Sequence, residues 1–406
     1  MQNRKEFRCA RGPSWRSWCA LVASAAFVTA CADPSAPVAA NGSMDASARA
    51  EQSAPKFWET NAAANWNELA TSLNTRRPSN AARLYAYLSL AQLRAAEDAD
   101  AVRPHGPVNS AIGNASAAVL RVLFPADAAE ISRALAAQKV ADPWPGNKHE
   151  SWSLGATIGS AAAARVLAYA AGDGWGRTNP GLPPVGPGHW IYGGTVARGG
   201  FGARPFFLSS ASEFRAPPPP AFGSPAFVAA LAEVRQISQT RTPEQIAIAQ
   251  FWHVVQSPTS ASVLNNLAVE LLRTHRRQEL ESARLLFLIN GSAFDAAIGC
   301  FDSKFAYWYI RPPQADPSIS VVAGVVLPPH PSYPSAHSCI TGALTESMAL
   351  AFPDERRRVE EIATEASLSR LYAGVHYRFD MEAGLVLGRA IARKAADASL
   401  STIAVR

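Results

Sequence analysis

Three short segments in the last quarter of the chain hold side chains that can act together: Lys304-FAYWYI-Arg311-Pro312, Pro334-Ser335-Ala336-His337, and Ser369-Arg370-LYAGV-His376-YRF-Asp380. Lys304, Arg311, Arg370, the Ser335 hydroxyl, His337 and His376 are what a site for a tetrahedral oxyanion needs. They offer fixed positive charge, small donors, and imidazoles that exchange protons or bond covalently.

Local structure must bring these residues together. The run from Ala293 to Ile310 has no Pro, and Arg311 precedes a Pro that disfavours further helix, so a helix is predicted there. Lys304 and Arg311 are seven residues apart, which at about 100° per residue leaves them roughly 20° from alignment on one helical face. A second helix is expected from Pro334-Ser335 onward, its first turn presenting backbone N–H groups, the Ala336 N–H among them, to an anion. In the third segment Gly374 breaks or bends the chain, so Arg370 and His376 come from either side of a junction. His376 and Asp380, four residues apart, can pair so that the carboxylate fixes one ring nitrogen and frees the other.

The order K-x6-RP, PS(G)H, SR-x5-H-x3-D resembles the signature of the superfamily joining type 2 phosphatidic acid phosphatases, bacterial acid phosphatases and vanadium-dependent haloperoxidases. The wording CFDSKFAYWYIRP, HPSYPSAHS and GVHYRFD is most similar to bacterial haloperoxidase-like proteins, and a fainter likeness extends upstream to about Ala81. Ala336 stands where that family usually has Gly; its methyl narrows the pocket, although its N–H can still donate.

The resemblance implies an all-α helical bundle and an enzyme whose Lys304, Arg311 and Arg370 neutralise equatorial oxygens, aided by Ser335 and the Ala336 N–H, while Asp380 fixes the His376 tautomer. With vanadate as cofactor, His376 would be the axial metal ligand, His337 would assist proton transfers, and halide would be oxidised by hydrogen peroxide. With a phosphate monoester as substrate and no cofactor, His376 would form a phosphohistidine, and His337 would protonate the leaving alcohol and then activate water. His330 bears on the choice: in the family that position is often Phe in chloroperoxidases and His in bromoperoxidases. A loop residue between prolines with no halide role is the other reading. The haloperoxidase-like activity is favoured, the phosphatase is the alternative, and an oxyanion-binding lipoprotein without catalysis is the third possibility.

The remainder of the chain is read as support for these segments. Residues 1–30 carry a basic start and an apolar stretch from Cys19 to Val28, too short for a lasting membrane span, so they are expected to be an export signal. Val28-Thr29-Ala30-Cys31 resembles the bacterial lipobox, which implies lipidation at Cys31 and anchoring to a bacterial membrane, facing the periplasm or the exterior; a plain cleaved signal is the alternative. The signal holds Arg4, Lys5, Arg8, Arg11, Arg16 and Glu6, a net +4 of the chain's +6. The residual balance gives no argument for nucleic acid. Residues 31–55, rich in Ala, Ser and Pro, are expected to be a flexible tether.

Residues 56–406 are expected to form one all-α domain, an upstream helical part over 56–240 and a catalytic part over 241–406. Helices are predicted at Ala81–Ala99, Val108–Leu123, Pro125–Lys139, Ser151–Ala171, Ser260–Arg273 and Gln278–Asn290. Thr242-Pro243-Glu244-Gln245 is a capping-box start for another helix, running to about Val255. The Gly- and Pro-rich segment from Asp173 to Ser224 is a long loop whose aromatics either pack onto the bundle or rim the site, with His189, Arg198 and Arg204 as candidates in the second case. His105, His149, His253 and His275 have no metal-ligand partners at useful spacing, and Glu355-Arg356-Arg357-Arg358 suits a solvated helix start. Cys300 and Cys339 flank the proposed pocket, as a disulfide or as two buried thiols.

Overall fold

The computed structural model describes residues 61–102, 107–141, 149–253 and 259–404. The expected export signal, the Cys31 lipidation site, the tether and His105 lie outside the described residues. The described residues form helices and loops with no strand. The helices are α1 (Ala62–Arg76), α2 (Ala81–Asp100), α3 (Val108–Leu123), α4 (Ala128–Ala141), α5 (His149–Ala171), α6 (Pro225–Thr240), α7 (Pro243–His253), α8 (Thr259–Thr274), α9 (Glu279–Tyr307), α10 (Pro312–Ala315), α11 (Ala336–Ala351), α12 (Arg356–Ala373) and α13 (Arg378–Ala404).

Short polar residues start several of these helices by accepting from the first free backbone N–H groups. Asn61 and Asn80 each accept at 3.0 Å, from Ala64 and Arg83. At α7, Thr242 and Gln245 form the reciprocal box the sequence announces, with distances of 3.0 and 3.2 Å.

Helix α9 is the axle. It packs on α2 upstream and on α11 and α13 downstream, and almost all of its residues beyond the first turn are buried. The sequence predicted two helices here, Gln278–Asn290 and Ala293–Ile310; the structure has one of 29 residues. Gly291, a break by propensity, sits inside it because a Cβ there would lie 2.9 Å from the Phe207 ring and 3.2 Å from that of Phe287. Aromatic packing on the helix outweighs a cost of about 1 kcal/mol for an interior Gly.

The long loop from Asp173 to Ser224 is tied to α9 and to the residues after it. The buried Asp295 carboxylate accepts from the N–H groups of Phe206, Phe207 and Leu208 at 2.7–3.1 Å. The proline run has few N–H groups of its own, and its carbonyls serve instead as acceptors for tyrosine hydroxyls. Tyr307 donates to Ala216, Tyr333 to Pro217 and Tyr309 to Pro220, at 2.6–2.7 Å. The packing reading of the loop holds, and the loop also reaches the backbone that precedes Arg311. Its aromatics pack onto the bundle, while Gly188 and Trp190 pair by backbone with Ile310 and Trp308, next to Arg311.

Two glycines set the depth of the α11–α13 contact. A Cβ on Gly388 would lie 2.1 Å from the Cys339 carbonyl oxygen, and one on Gly384 would lie 2.7 Å from that of Ser335. The N-terminal turn of α11 is thereby pressed against α13 close to Asp380.

Candidate active site

Lys304 is in the last turn of α9, but Arg311 is not on that helix. Trp308 caps the helix in the left-handed region (φ 48°), a conformation that costs a bulky residue roughly 1–2 kcal/mol. It is held there by ring packing on Phe305 and Trp190. The chain then runs extended to Arg311, the residue before Pro312. The expected shared helical face is thus corrected: the two cations meet because the chain turns at Trp308, not through helical periodicity.

Ser335 is the N-cap of α11, its hydroxyl accepting from the Ser338 N–H at 3.5 Å, and its own N–H donates to the Asp380 carbonyl at 2.8 Å. The second and third motifs are therefore joined directly. Ala336 packs beside Phe301, Phe305 and Trp308. Gly374, at φ 79°, ends α12 and places Arg370 before the turn and His376 after it.

Asp380 is the only carboxylate among the residues of the three motifs. Its Oδ2 accepts from Ser332 Oγ at 2.5 Å, His376 Nδ1 at 2.8 Å and the Tyr377 N–H at 3.2 Å. Its Oδ1 has no hydrogen-bond partner among the described residues. A carboxylate accepting from Nδ1 leaves the proton there and Nε2 bare. Nε2 lies 3.4 Å from Arg311 Nη1.

Lys304, Arg311 and Arg370 are buried, at 0, 0 and 1 % exposure, as is Asp380 at 0 %. Lys304 donates to the carbonyls of Pro331 and Ser332, both at 2.8 Å, and to that of Pro334. Arg311 donates to the carbonyls of His330 and Val375 at 2.9 and 2.7 Å and to His330 Nδ1 at 3.1 Å. Arg370 donates from Nε to Ser369 and from Nη2 to the Ala249 carbonyl, leaving Nη1 without a partner among the described residues.

Burial and mutual repulsion shape the protonation of all these groups. Burial pushes Lys304 down to about 8, and the charge of Arg311 adds to the effect. Burial likewise brings Arg311 and Arg370 down to about 9 and raises Asp380 to about 6 against the pull of Ser332 and Lys304. His330, His337 and His376 are held well below the ordinary imidazole value by burial, then by nearby cations. All three are neutral at pH 7. His376 is held down by the charges of Arg311 and Lys304, and His337 by those of Arg370 and Arg311. The predicted residues thus share one electrostatic environment.

His330 is buried, pairs with Arg311 and meets the Phe301 ring edge-on at 5.1 Å. Cys300 and Cys339 are free, buried thiols, and Cys300 Sγ donates to the Pro334 carbonyl at 3.9 Å. Other sequence candidates stand apart. Arg198 donates to Gly176, Arg204 lies over the Tyr169 ring, and His189 forms a backbone bridge with Tyr309. Arg356 pairs with the buried Glu346 and with Glu360, and Arg358 with Glu270.

Two features escaped the sequence. Ser332 binds Asp380; its place three residues before Ser335 in HPSYPSAHS was the available signal. The end of α7 forms a wall, with the Trp252 carbonyl 2.8 Å from His337 Nε2, the Ala249 carbonyl on Arg370, and His253, held below its usual value by burial and by Arg370. No spacing linked α7 to the motifs.

Residues 284–398 match the sequence pattern of the PAP2 superfamily. No curated protein matches the chain in sequence. Among solved structures, the chain is similar to a bacterial vanadium-dependent iodoperoxidase at 22 % identity and a TM-score of 0.66, covering 84 % of this chain and 96 % of that one. It is also similar to a bacterial vanadium-dependent chloroperoxidase in its apo form, at 16 % identity and TM-score 0.61 over 79 % and 92 % of the two chains. The holo form of such a chloroperoxidase gives 14 %, 0.59, and coverages of 86 % and 97 %. The fold is that of these helical proteins.

Proposed function

We propose that this chain, with the fold of the haloperoxidases it resembles and a PAP2 pattern over its last helices, is an oxyanion-dependent enzyme that uses vanadate to oxidise halide with hydrogen peroxide. One observation carries the oxyanion: Lys304, Arg311 and Arg370 are all buried, and Asp380, the one carboxylate of the three motifs, acts on the first two. Burying an unpaired charge costs several kcal/mol, and a bound tetrahedral anion supplies the missing counter-charge.

The donor set suits vanadate or phosphate. Arg370 Nη1, the Ser335 hydroxyl and the first N–H groups of α11, including that of Ala336, would hold the oxygens; Lys304 and Arg311, whose N–H groups already meet main-chain carbonyls and imidazole nitrogens, would supply positive charge, and the bare His376 Nε2 would bind the metal. Bound vanadate supplies a Lewis acid that activates hydrogen peroxide toward halide with no change of its own oxidation state. The protein orients and neutralises: Asp380 keeps the His376 proton on Nδ1, and the neutral His337 takes up or returns a proton. Halide is the proposed second substrate, with His330 beside the Arg311 guanidinium as a candidate for halide preference.

The PAP2 match favours a second reading, hydrolysis of a phosphate monoester without a cofactor. His376 Nε2 would attack phosphorus, His337 would protonate the leaving alcohol, and water would release phosphate from the phosphohistidine. In either case we place the enzyme outside the cytoplasm, anchored through a lipid on Cys31.

The test is a pair of assays: hydrolysis of p-nitrophenyl phosphate without additives, and bromination of a phenolic dye with vanadate, peroxide and bromide. Vanadate-dependent bromination is expected. Hydrolysis alone establishes the second reading, and silence in both with vanadate bound leaves an oxyanion-binding lipoprotein.

A further inference from the structure

His337 Nε2 lies 2.8 Å from the main-chain oxygen of Trp252. A carbonyl only accepts, so Nε2 carries the proton, and a neutral ring then leaves its lone pair on Nδ1. That carbonyl belongs to α7. The Trp252 side chain, the largest one fully buried among the described residues, anchors this part of α7 in the core. The indole Nε1–H donates to Glu365 Oε1 at 3.0 Å. Glu365 lies on α12, the helix that also carries Arg370, and Arg370 in turn donates to the Ala249 carbonyl of α7 at 2.9 Å. The two helices are therefore stapled at two points, at Trp252 and at Ala249.

We infer that Glu365 is a positioning residue for His337: through the Trp252 indole it fixes the carbonyl that selects the Nε2–H tautomer, and so presents Nδ1 as the proton-accepting atom. The catalytic part of this inference rests on the proposed role of His337 in proton transfer; the tautomer does not. Glu365 touches neither His337 nor the anion, and its effect passes through a backbone atom, as an orienting group acts on a general base. When His337 gains a proton at Nδ1, the same carbonyl, still accepting from Nε2–H, favours the charged ring.

The test is nitrogen NMR of the protein labelled with 15N-histidine, the His337 signal being assigned by its loss in His337→Gln. Wild-type His337 is expected as the neutral Nε2–H tautomer. Glu365→Leu should give a mixture of tautomers and lower kcat about 10- to 100-fold, as small misplacements of reacting groups do, with KM changed less than about threefold. Glu365→Gln keeps an acceptor for the indole and should restore both within about threefold. Should Glu365→Leu fail to fold, Trp252→Phe removes the indole N–H and takes its place. An Nδ1–H tautomer in the wild type overturns the inference, as does a Glu365→Leu protein with unaltered tautomer and kcat. A wild type silent in both assays overturns the proposed reaction and leaves the tautomer result to decide the rest.

Discussion

His376 Nδ1 lies 2.8 Å from Asp380 Oδ2, one helical turn further on, and both are buried. The same oxygen also accepts from Ser332 and from the Tyr377 N–H. This pair determines which imidazole nitrogen is left to bond an oxyanion, so the first prediction concerns it. Asp380→Asn removes the charge while keeping the shape, and should lower kcat by about 10²-fold or more, the scale of a lost acid–base partner. Helical circular dichroism should be unchanged. Retained turnover would show that His376 is not the bonding imidazole.

Anion affinity should fall above pH 8. Lys304 is pushed down to about 8, first by burial, so the site loses a cation as pH rises through that value. Calorimetric titration with orthophosphate, already dianionic there, should show affinity dropping by up to about tenfold per pH unit. The sign for stability is opposite. An unfolded Lys keeps its proton to about 10.4, so between 8 and that value the folded chain binds fewer protons, and stability from this group rises with pH. An affinity that is flat from pH 7 to 9 contradicts the placement of Lys304.

Asp295→Asn should loosen the long loop. The amide puts an NH₂ group among three backbone donors that now share the carboxylate, leaving at least one buried N–H unpaired at a cost of about 1–3 kcal/mol. Limited proteolysis should cut near residues 199–216 faster than in the wild type, with the helical content retained. Equal cutting rates would show that the aromatic packing alone holds the loop.

Gly388→Ala should destabilise by about 1–3 kcal/mol or more, because the new methyl would meet the Cys339 carbonyl at 2.1 Å. A fall of several degrees in Tm is expected, with activity reduced as the α11 tip moves away from Asp380. An unchanged Tm would mean that the two helices separate freely and that the site does not depend on their close approach.

The helical class and most boundaries were legible because Ala-rich periodic runs, the Thr242 cap and Gly374 act locally. Val108–Leu123 and the Thr242 start are cases where local chemistry suffices. The error at α9 has the opposite cause: Gly291 looks like a break until Phe207, more than 80 residues away, is seen to need the space. The Lys304–Arg311 geometry failed for a similar reason, since the left-handed Trp308 is held by Trp190 from the distant loop. The site residues were legible from three motifs in order. The α7 wall was not, because it contributes carbonyl oxygens, which every residue has.

The central claim is that three buried cations and His376 converge on one tetrahedral anion. Diffraction from crystals grown with orthovanadate tests it most directly. One vanadium peak is expected at bonding distance from His376 Nε2, with Arg370 Nη1 turned toward its oxygens and His337 on the same cavity. A site with no peak at saturating vanadate, or a peak held by other residues while His376 Nε2 stays against Arg311, would contradict it.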